Sequence, residues 1–417
     1  MIRHRFAQSG RWDVASLEQG LKKALMKDGA CILESLLNAC QPAVDPPKPG
    51  ERCYKFRPKR VQSVLGALTL RRDYYYGLAG GRAPLDEELG LVESYTPGLQ
   101  RLMCRAGAMD PSYEEAARSL LVYGGINVPG RQIQRMVNRL APDAKVWAQT
   151  RKPDPDQQSI PVMYVSYDST GVPMIRDELI GRKGKQPDGT AKTREIKLGC
   201  VFTQHVRDEK GFPLRDPDSS SYLASFAEAE DFGILMRHEA FRRGMAKAKV
   251  VVVIGDGAAW IWTLAKTNFP FAVQILDFYH ACEHLFSLCE ALFSDPVDIR
   301  THFKCWKTSF KRNGVLKVVT QAQALLGKRS VVDSDTVRSE ITYFQTNAPR
   351  MQYRSYRRSG YFIGSGVVEA GCKTVIGQRA KQSGMFWTVS GAENVLNFRC
   401  LAMENALDQF WQQRKIA

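Results

Sequence analysis

The stretch KVVVVIGDGA at residues 249–258 decides the fold of this chain. Its unbroken run of branched aliphatic residues predicts a strand that is buried on both faces, since a strand with one solvated face alternates apolar and polar residues. Asp256 follows this strand between two glycines, which let the backbone approach a metal ion or a phosphate closely. The stretch therefore brings a carboxylate to the edge of a covered sheet.

Three further segments predict strands of the same sheet. They are IPVMYVSYDSTG at 160–171, EIKLGCVFTQHV at 195–206 and FAVQILDFYH at 271–280. The first ends in Asp168, the last ends near Asp277, and helical segments lie between them. Strands mixed with helices predict an α/β fold with a central sheet covered on both faces.

The composition is basic. The 417 residues carry a net charge of +16, and the excess lies in both halves of the chain, which is compatible with a nucleic-acid partner and equally with a basic but ordinary soluble enzyme. None of the ten cysteines forms a CxxC or CxxH pair, which is typical of reduced thiols. No secretory signal or membrane-spanning run is visible, so we expect a soluble, cytoplasmic protein.

The N-terminal part predicts a mainly helical region with one β-hairpin. Residues 15–41 have helical spacing, and residues 60–76 alternate apolar and polar side chains as a hairpin does. The segment 112–141 predicts a helix-turn-helix, in which Ser112 caps the first helix and the second begins near Pro129.

Arginines recur every four residues on that second helix, at Arg131, Arg135 and Arg139. This spacing puts them on one helical face, which could meet phosphates or a DNA groove. An ordinary helical hairpin with a solvated basic face is the alternative.

The two strand-end acids predict a metal site. Magnesium prefers oxygen ligands, and phosphodiester chemistry commonly uses two such ions about 4 Å apart. Asp168 or Asp256 alone could equally be a structural helix cap. Their position on two strands of one sheet favours metal binding.

Residues 161–410 resemble the ISKra-type DDE transposases, bacterial insertion-sequence enzymes close to the Mutator-like group. The matching stretches are YDSTGVPM (167–174), GRKGKQPDGTAKTREIKLGCVFTQ (181–204), VVVIGDGAAWIW (251–262), QILDFYHACEHL (274–285), GSGVVEAGCKT (364–374) and KQSGMFWTVSGAENV (381–395). The resemblance implies a ribonuclease-H-like fold. It also implies Mg²⁺ (or Mn²⁺) held by Asp168, Asp256 and Glu369.

The resemblance implies more about the site and the partners. Asp277 and His280 match a DxxH signature, which implies that both belong to the catalytic residues and that His280 lies near the site, although a core histidine is the alternative for His280. Double-stranded DNA, as element ends and as target, would be the partner, in the bacterial nucleoid. Such enzymes generally act as homo-oligomers.

Basic residues around these stretches are candidate DNA contacts. The loop Arg176–Lys197 should overhang the acids, and further candidates follow Glu369. The candidates are Arg182, Lys183, Lys185, Lys192, Arg194, Lys373, Arg379, Lys381 and the aromatic Trp387. A solvated basic loop is the alternative for the first group, and core packing is the alternative for Trp387.

We expect four segments from these patterns. They are an N-terminal helical segment with a Pro-rich linker (1–55), a DNA-binding region (56–150), a catalytic domain (160–280 and 356–417) and an all-helical insertion (281–355). Relatives of this type commonly carry a Cys-rich motif after the hairpin, but here that stretch has no Cys or His, so no zinc is expected. A domesticated or inactive transposase that only binds DNA, and a metal-dependent nuclease of the same fold, remain alternatives.

Overall fold

The structure is a computed structural model that describes residues 13–184, 189–328 and 331–414. Within these ranges the chain divides into two units, residues 13–144 with 406–414 and residues 145–405. No helix within the described ranges is both long enough and apolar enough to span a bilayer.

The first unit is built from a long helix on a β-hairpin and a set of shorter helices. Its elements are α1 (Val14–Ala39), β1 (Arg52–Ser63), β2 (Gly66–Gly77), β3 (Gly80–Arg82), α2 (Pro84–Glu88), α3 (Pro97–Met109), α4 (Tyr113–Gly124) and α5 (Gly130–Thr150), which continues into the second unit. The hairpin is the predicted one, but β1 begins earlier than the sequence pattern indicates, at Arg52.

The predicted helix-turn-helix is present in α4 and α5. The Ser112 hydroxyl accepts a hydrogen bond from Glu115 N at 3.0 Å, and α4 ends at Gly125 in the left-handed region (φ 68°). Apolar residues of α5 such as Ile133 and Val137 are buried.

The last helix, Leu407–Gln413, belongs to the first unit, whereas we expected residues 356–417 to lie together in the catalytic domain. Ion pairs hold it there: Arg101 Nη2 lies 2.7 Å from Asp408 Oδ1, and Arg414 Nη2 lies 3.6 Å from Asp143 Oδ2. These pairings depend on tertiary neighbours, which the local sequence does not reveal.

The second unit contains a five-stranded mixed sheet, as the α/β prediction requires. Its strands are β4 (Ile160–Pro173), β5 (Thr193–Gln204), β6 (Ser221–Ser225), β7 (Ala248–Gly255) and β8 (Val273–Leu276), in the order β6-β5-β4-β7-β8. β4, β5 and β6 pair antiparallel, while β7 and β8 run parallel to β4.

Strand β4 continues past Asp168, so the expectation that Asp168 ends its strand is wrong. Asp168 pairs with Leu198 of β5, and that ladder runs on to Pro173. The parallel ladder with β7 stops earlier, at Ser166 and Ile254. Asp168 therefore lies just beyond the end of the β4–β7 ladder. Asp256, which directly follows β7, lies at the same edge of the sheet.

Helices fill the rest of the second unit. They are α6 (Ala229–Arg242), α7 (Ala259–Asn268), α8 (Phe278–Leu292), α9 (Pro296–Phe310), α10 (Val315–Lys328), α11 (Ser334–Asn347), α12 (Tyr353–Arg358), α13 (Gly366–Gly371), a π-helical turn (Cys372–Gly377), α14 (Gln378–Ala380) and α15 (Val389–Met403). The described part of residues 281–350 is helical apart from short turns, as predicted.

Candidate active site

Two carboxylates lie at the same edge of the sheet because β4 and β7 are parallel neighbours. Burial raises the pKa of Asp168, and the nearby carboxylates of Asp256 and Glu369 raise it further, while the Cys372 thiol and the Ser169 N–H lower it by hydrogen bonding. Asp256 and Glu369 are therefore both near enough to Asp168 for their charges to act on it.

Glu369 reaches this edge because α13 packs tightly against the sheet. A Cβ added to Gly371 would lie 2.7 Å from the Tyr222 ring and 3.0 Å from the Leu198 side chain. The small residue therefore permits a close approach, as the sequence around Glu369 predicts. The π-helical turn that follows α13 carries Cys372, whose thiol hydrogen-bonds to Asp168.

Asp277 is fully buried and caps α8, which corrects its placement among the reacting groups. Its Oδ1 accepts from Tyr279 N at 2.6 Å and from His280 N at 2.8 Å. Its Oδ2 accepts from the Ser365 hydroxyl at 2.7 Å and also from Ser365 N. Three backbone N–H groups, and the Ser365 hydroxyl whenever it donates to Asp277, occupy the oxygens of this carboxylate, so Asp277 fits a positioning residue better than a metal ligand.

Ser365 links this buried acid to Glu369. Its Oγ lies 2.7 Å from Asp277 Oδ2 and 2.7 Å from Glu369 Oε1. Ser365 lies directly before α13, and its side chain makes no hydrogen bond to the backbone of that helix. Because the Ser365 hydroxyl has a single hydrogen, it donates to one of these carboxylates at a time, and its bond to Glu369 restricts where the Glu369 carboxylate can point.

An aromatic and histidine cluster from the insertion lies beside Asp256. Tyr343 of α11 donates its hydroxyl to Asp256 O at 3.1 Å, and burial, with the Asp256 charge, raises its pKa, so it stays a donor. His284 stacks on Tyr343 with ring centroids 3.8 Å apart, and its Nδ1 lies 2.7 Å from Glu340 Oε2. His280, half-exposed, follows with its ring 5.2 Å from that of His284.

The sequence reasoning missed several of these neighbours. His284 was missed, although it lies four residues after His280 on α8, a spacing that puts both histidines on one helix face. Tyr343, Glu340 and Cys372 offered no local signal, because their relevance comes from packing.

The three acids offer carboxylate oxygens, which are ligands that a hard divalent cation accepts, but their side chains are spread apart. Within the described ranges, no three His, Cys, Asp or Glu side chains stand close enough together to hold a metal ion. Burial, and to a smaller extent the charges of Asp256 and Glu369, nevertheless raise the pKa of Asp168. A cation would relieve the repulsion of these charges, and carboxylate oxygens are the ligands that Mg²⁺ prefers.

The basic loop after β4 folds back as an irregular hairpin. Lys183 pairs with Thr190, and Gly184 N donates to Gly189 O at 2.9 Å. Arg182, Lys183 and Lys192 are exposed, whereas Lys185 lies outside the described residues. Arg194 is partly buried against Glu178, with 3.0 Å between Nη1 and Oε2, so its charge is already paired.

Two of the candidate DNA contacts after Glu369 are interior residues. Arg379 is fully buried, and its guanidinium lies 5.1 Å from the centroid of the Trp387 ring. Trp387 is 7% exposed, and its Nε1 donates to Ala380 O at 3.1 Å. Neither side chain is accessible to DNA, so both leave the set of candidate contacts.

The other candidate cations are at the surface. Lys373 and Lys381 are exposed, and Lys381 Nζ donates to the Thr170 hydroxyl, two residues beyond Asp168. In the first unit, Arg131, Arg135 and Arg139 are all exposed along α5. These side chains are free to meet a polyanion.

The family comparison covers both units. The model of the uncharacterised protein family UPF0236 matches residues 11–391. The chain belongs to the UPF0236 family. A comparison of this UPF0236 member with curated proteins finds no significant match.

One solved structure that the UPF0236 chain is similar to is the Drosophila P element transposase strand transfer complex. The sequence identity is 7%, the match covers 79% of this chain and 83% of that chain, and the TM-score is 0.29. A likeness at that TM-score carries no argument about fold or function.

Proposed function

We propose that this UPF0236 protein is a DDE transposase that cuts DNA at element ends and joins them to target DNA. The observation that carries the proposal is the parallel pairing of β4 and β7, which brings Asp168 and Asp256 to one edge of the sheet, with Glu369 near enough for its charge to act on Asp168. These are the three acids that the resemblance to ISKra-type transposases assigns to metal binding.

A ribonuclease-H-like fold is part of the proposal. In chain order the five strands lie 3-2-1-4-5, with the first three antiparallel and the last two parallel to the first. This order supports that fold, since it puts the first and fourth strands side by side and both acids at one edge.

Each acid has a proposed role as a ligand for Mg²⁺ or Mn²⁺. Divalent ions bound there would supply Lewis-acid stabilisation of the attacking and leaving oxygens. Asp277 and Ser365 would orient Glu369, and Tyr343 would hold the backbone that presents Asp256. Cys372 would keep Asp168 in place by its hydrogen bond.

The exposed cations would hold the DNA backbone against this edge. Lys373 and Lys381 lie on the segment that follows Glu369, and Lys183 lies on the loop after Asp168. Contacts of this kind fix the register of a phosphate backbone without reading its sequence. The exposed arginine face of α5 is the proposed contact to element ends, and self-association is expected to bring two ends together.

The decisive experiment uses DNA that flanks the gene, with a plasmid target and Mg²⁺. We expect nicks at imperfect inverted repeats and covalently joined products from the wild-type protein. The variant Asp256→Asn keeps the acceptor that Ala258 N binds, so it should fold and bind DNA but yield no joined product.

The alternatives give different results in the same assay. Cleavage without joining would favour a metal-dependent nuclease, and binding without cleavage would favour a domesticated DNA-binding protein. Strand transfer that survives Asp256→Asn would contradict the proposed site.

A further inference from the structure

An apolar stripe runs along the outer face of α1. Its members are Val14, Leu21, Leu25, Ile32 and Leu36, and each is more than half exposed. At 100° per residue these five side chains fall within about 60° of one another, so they form one narrow line along the 26-residue helix. We call this line the α1 stripe.

The opposite face of α1 is already occupied. Ala30 is buried, and Leu37 packs against the cluster of Val61, Leu70 and Leu85 under the hairpin. Glu34 Oε2 also accepts a hydrogen bond from Thr69 N at 2.7 Å. The helix is therefore fixed to the hairpin, and the α1 stripe cannot turn inward.

Nucleic acid does not suit this stripe, because a phosphate backbone offers charge and not apolar surface. Half-exposed aliphatic side chains of this size leave on the order of 100 Å² each in water. Five of them amount to about 500 Å², at the upper end of the apolar patches of ordinary monomers. Two such stripes facing each other would remove about 1,000 Å², the lower bound for a specific interface.

Three of the five stripe residues are evenly spaced along the helix, whereas Leu21 and Ile32 have Gly29 and Glu18 at their mirror positions. Leu25 lies at the centre of the stripe, and Val14 and Leu36 each stand eleven positions away. A two-fold axis through Leu25 would therefore pair Val14 of one copy with Leu36 of the next, as an isologous interface requires. The charged residues that border the stripe, Glu18, Lys22 and Asp28, have mixed signs and do not repel a copy.

We infer that the α1 stripe docks a second copy of this chain, as an antiparallel pair of α1 helices centred on Leu25. The exposed run at the end of α4, with Tyr123 80% exposed, adjoins this face, because Lys22 Nζ donates to Tyr123 O at 2.7 Å. The inference names the surface for the self-association proposed above, but it rests on α1 alone and not on the acids.

The test is sedimentation equilibrium of the full-length protein, freed of nucleic acid, across a concentration series. We expect wild type to dimerise and Leu25→Asp to raise the dissociation constant at least ~30-fold, since a central hot spot is truncated and two acids face each other. Leu316→Asp is the matched control, because Leu316 is 59% exposed on α10 and lies outside the stripe. It should associate as wild type does.

A second variant guards against misfolding. Leu25→Ala with Ile32→Ala keeps or raises the helix propensity of α1 while it removes apolar surface, so it should fold and dissociate as well. Apolar association should also survive about 1 M NaCl, where charges are screened beyond about 3 Å. A monomeric wild type, or a dimer lost in salt, or one indifferent to Leu25→Asp, overturns the inference.

The orientation has its own test. Leu25→Cys should cross-link between copies under oxidising conditions beyond the wild-type background, whereas Val14→Cys should not. Efficient cross-linking of both variants would indicate parallel helices and overturn the antiparallel pair. Asp256→Asn should dimerise normally, so a failure of the catalytic proposal would be seen separately from a failure of this one.

Discussion

Gly371 offers a sharp test of how α13 brings Glu369 to the sheet. In Gly371→Ala the new Cβ would lie 2.7 Å from Tyr222 Cε1, 3.0 Å from Leu198 Cδ2 and 3.2 Å from Tyr222 Cδ1. Contacts this short force the helix or the ring to move. Overpacking of this kind costs about 1–3 kcal/mol, and the better helix propensity of Ala offsets about 0.5–1 kcal/mol of it.

The net expectation is a loss of about 1–2 kcal/mol in the free energy of unfolding. Gly366→Ala is the control in the same helix, because a Cβ at Gly366 meets no atom within 4 Å. That change should leave stability unchanged or raise it by up to about 1 kcal/mol. Urea unfolding of both variants, followed by circular dichroism, measures the difference.

Activity should follow the same order. Glu369 lies two residues before Gly371, so a displaced α13 moves its carboxylate, and a misplacement near 1 Å costs about 10²-fold in rate. Gly366→Ala should keep the wild-type rate of strand transfer. A Gly371→Ala protein as stable and as active as wild type would refute the tight packing of α13.

Asp168→Asn should stabilise the folded protein at neutral pH. Burial and the neighbouring carboxylates raise the pKa of Asp168, so the wild-type protein loses folding free energy as pH rises through that pKa, whereas the Asn variant does not. The two proteins should approach equal stability well below the ordinary pKa of 3.8, where the carboxyl is neutral in both states, and equal stability at pH 7 would contradict the raised pKa of Asp168. Ser365→Ala should cost about 1–3 kcal/mol in urea unfolding and reduce strand transfer, because a buried carboxylate loses a donor and Glu369 loses its restraint; unchanged activity would show that Ser365 does not orient Glu369. Trp387→Phe should lower thermal stability without changing DNA affinity, because the ring is buried and loses its bond to a carbonyl. Lys373→Ala should leave thermal stability unchanged but weaken DNA binding, and it should reduce the slope of log affinity against log salt by about one. If Trp387→Phe weakened DNA binding and Lys373→Ala did not, Trp387 would again be a candidate DNA contact.

The sequence predicted best where one short segment carried the whole signal. The run Val250–Ile254 specified a doubly buried strand and the position of Asp256 after it. Ser112 specified the start of α4 by its hydroxyl alone. In these cases the interaction is local, so the residues that make it are neighbours in the chain.

Prediction failed where the deciding partner is distant in sequence. The length of β4 beyond Asp168 depends on its ladder with β5, and the burial of Arg379 depends on Trp387. A basic residue near predicted site acids suggests a ligand contact, but tertiary packing decides whether it faces solvent. Tyr343 escaped notice for the same reason, since it approaches Asp256 from an inserted helix.

The hydrogen bonds between Asp277 and Ser365 close the helical insertion at its base. These residues are 88 positions apart, and Phe278 N donates to Ile363 O at 2.8 Å beside them. The entropic cost of closing a chain segment grows only with the logarithm of its length, so doubling the length of the insertion adds only ~0.6 kcal/mol. A change in the length of the insertion should therefore alter the free energy of folding little, provided that the hydrogen bonds at its base and the helix that carries Tyr343 are retained. Changes at those anchor points should therefore disturb the sheet edge more than changes elsewhere in the insertion.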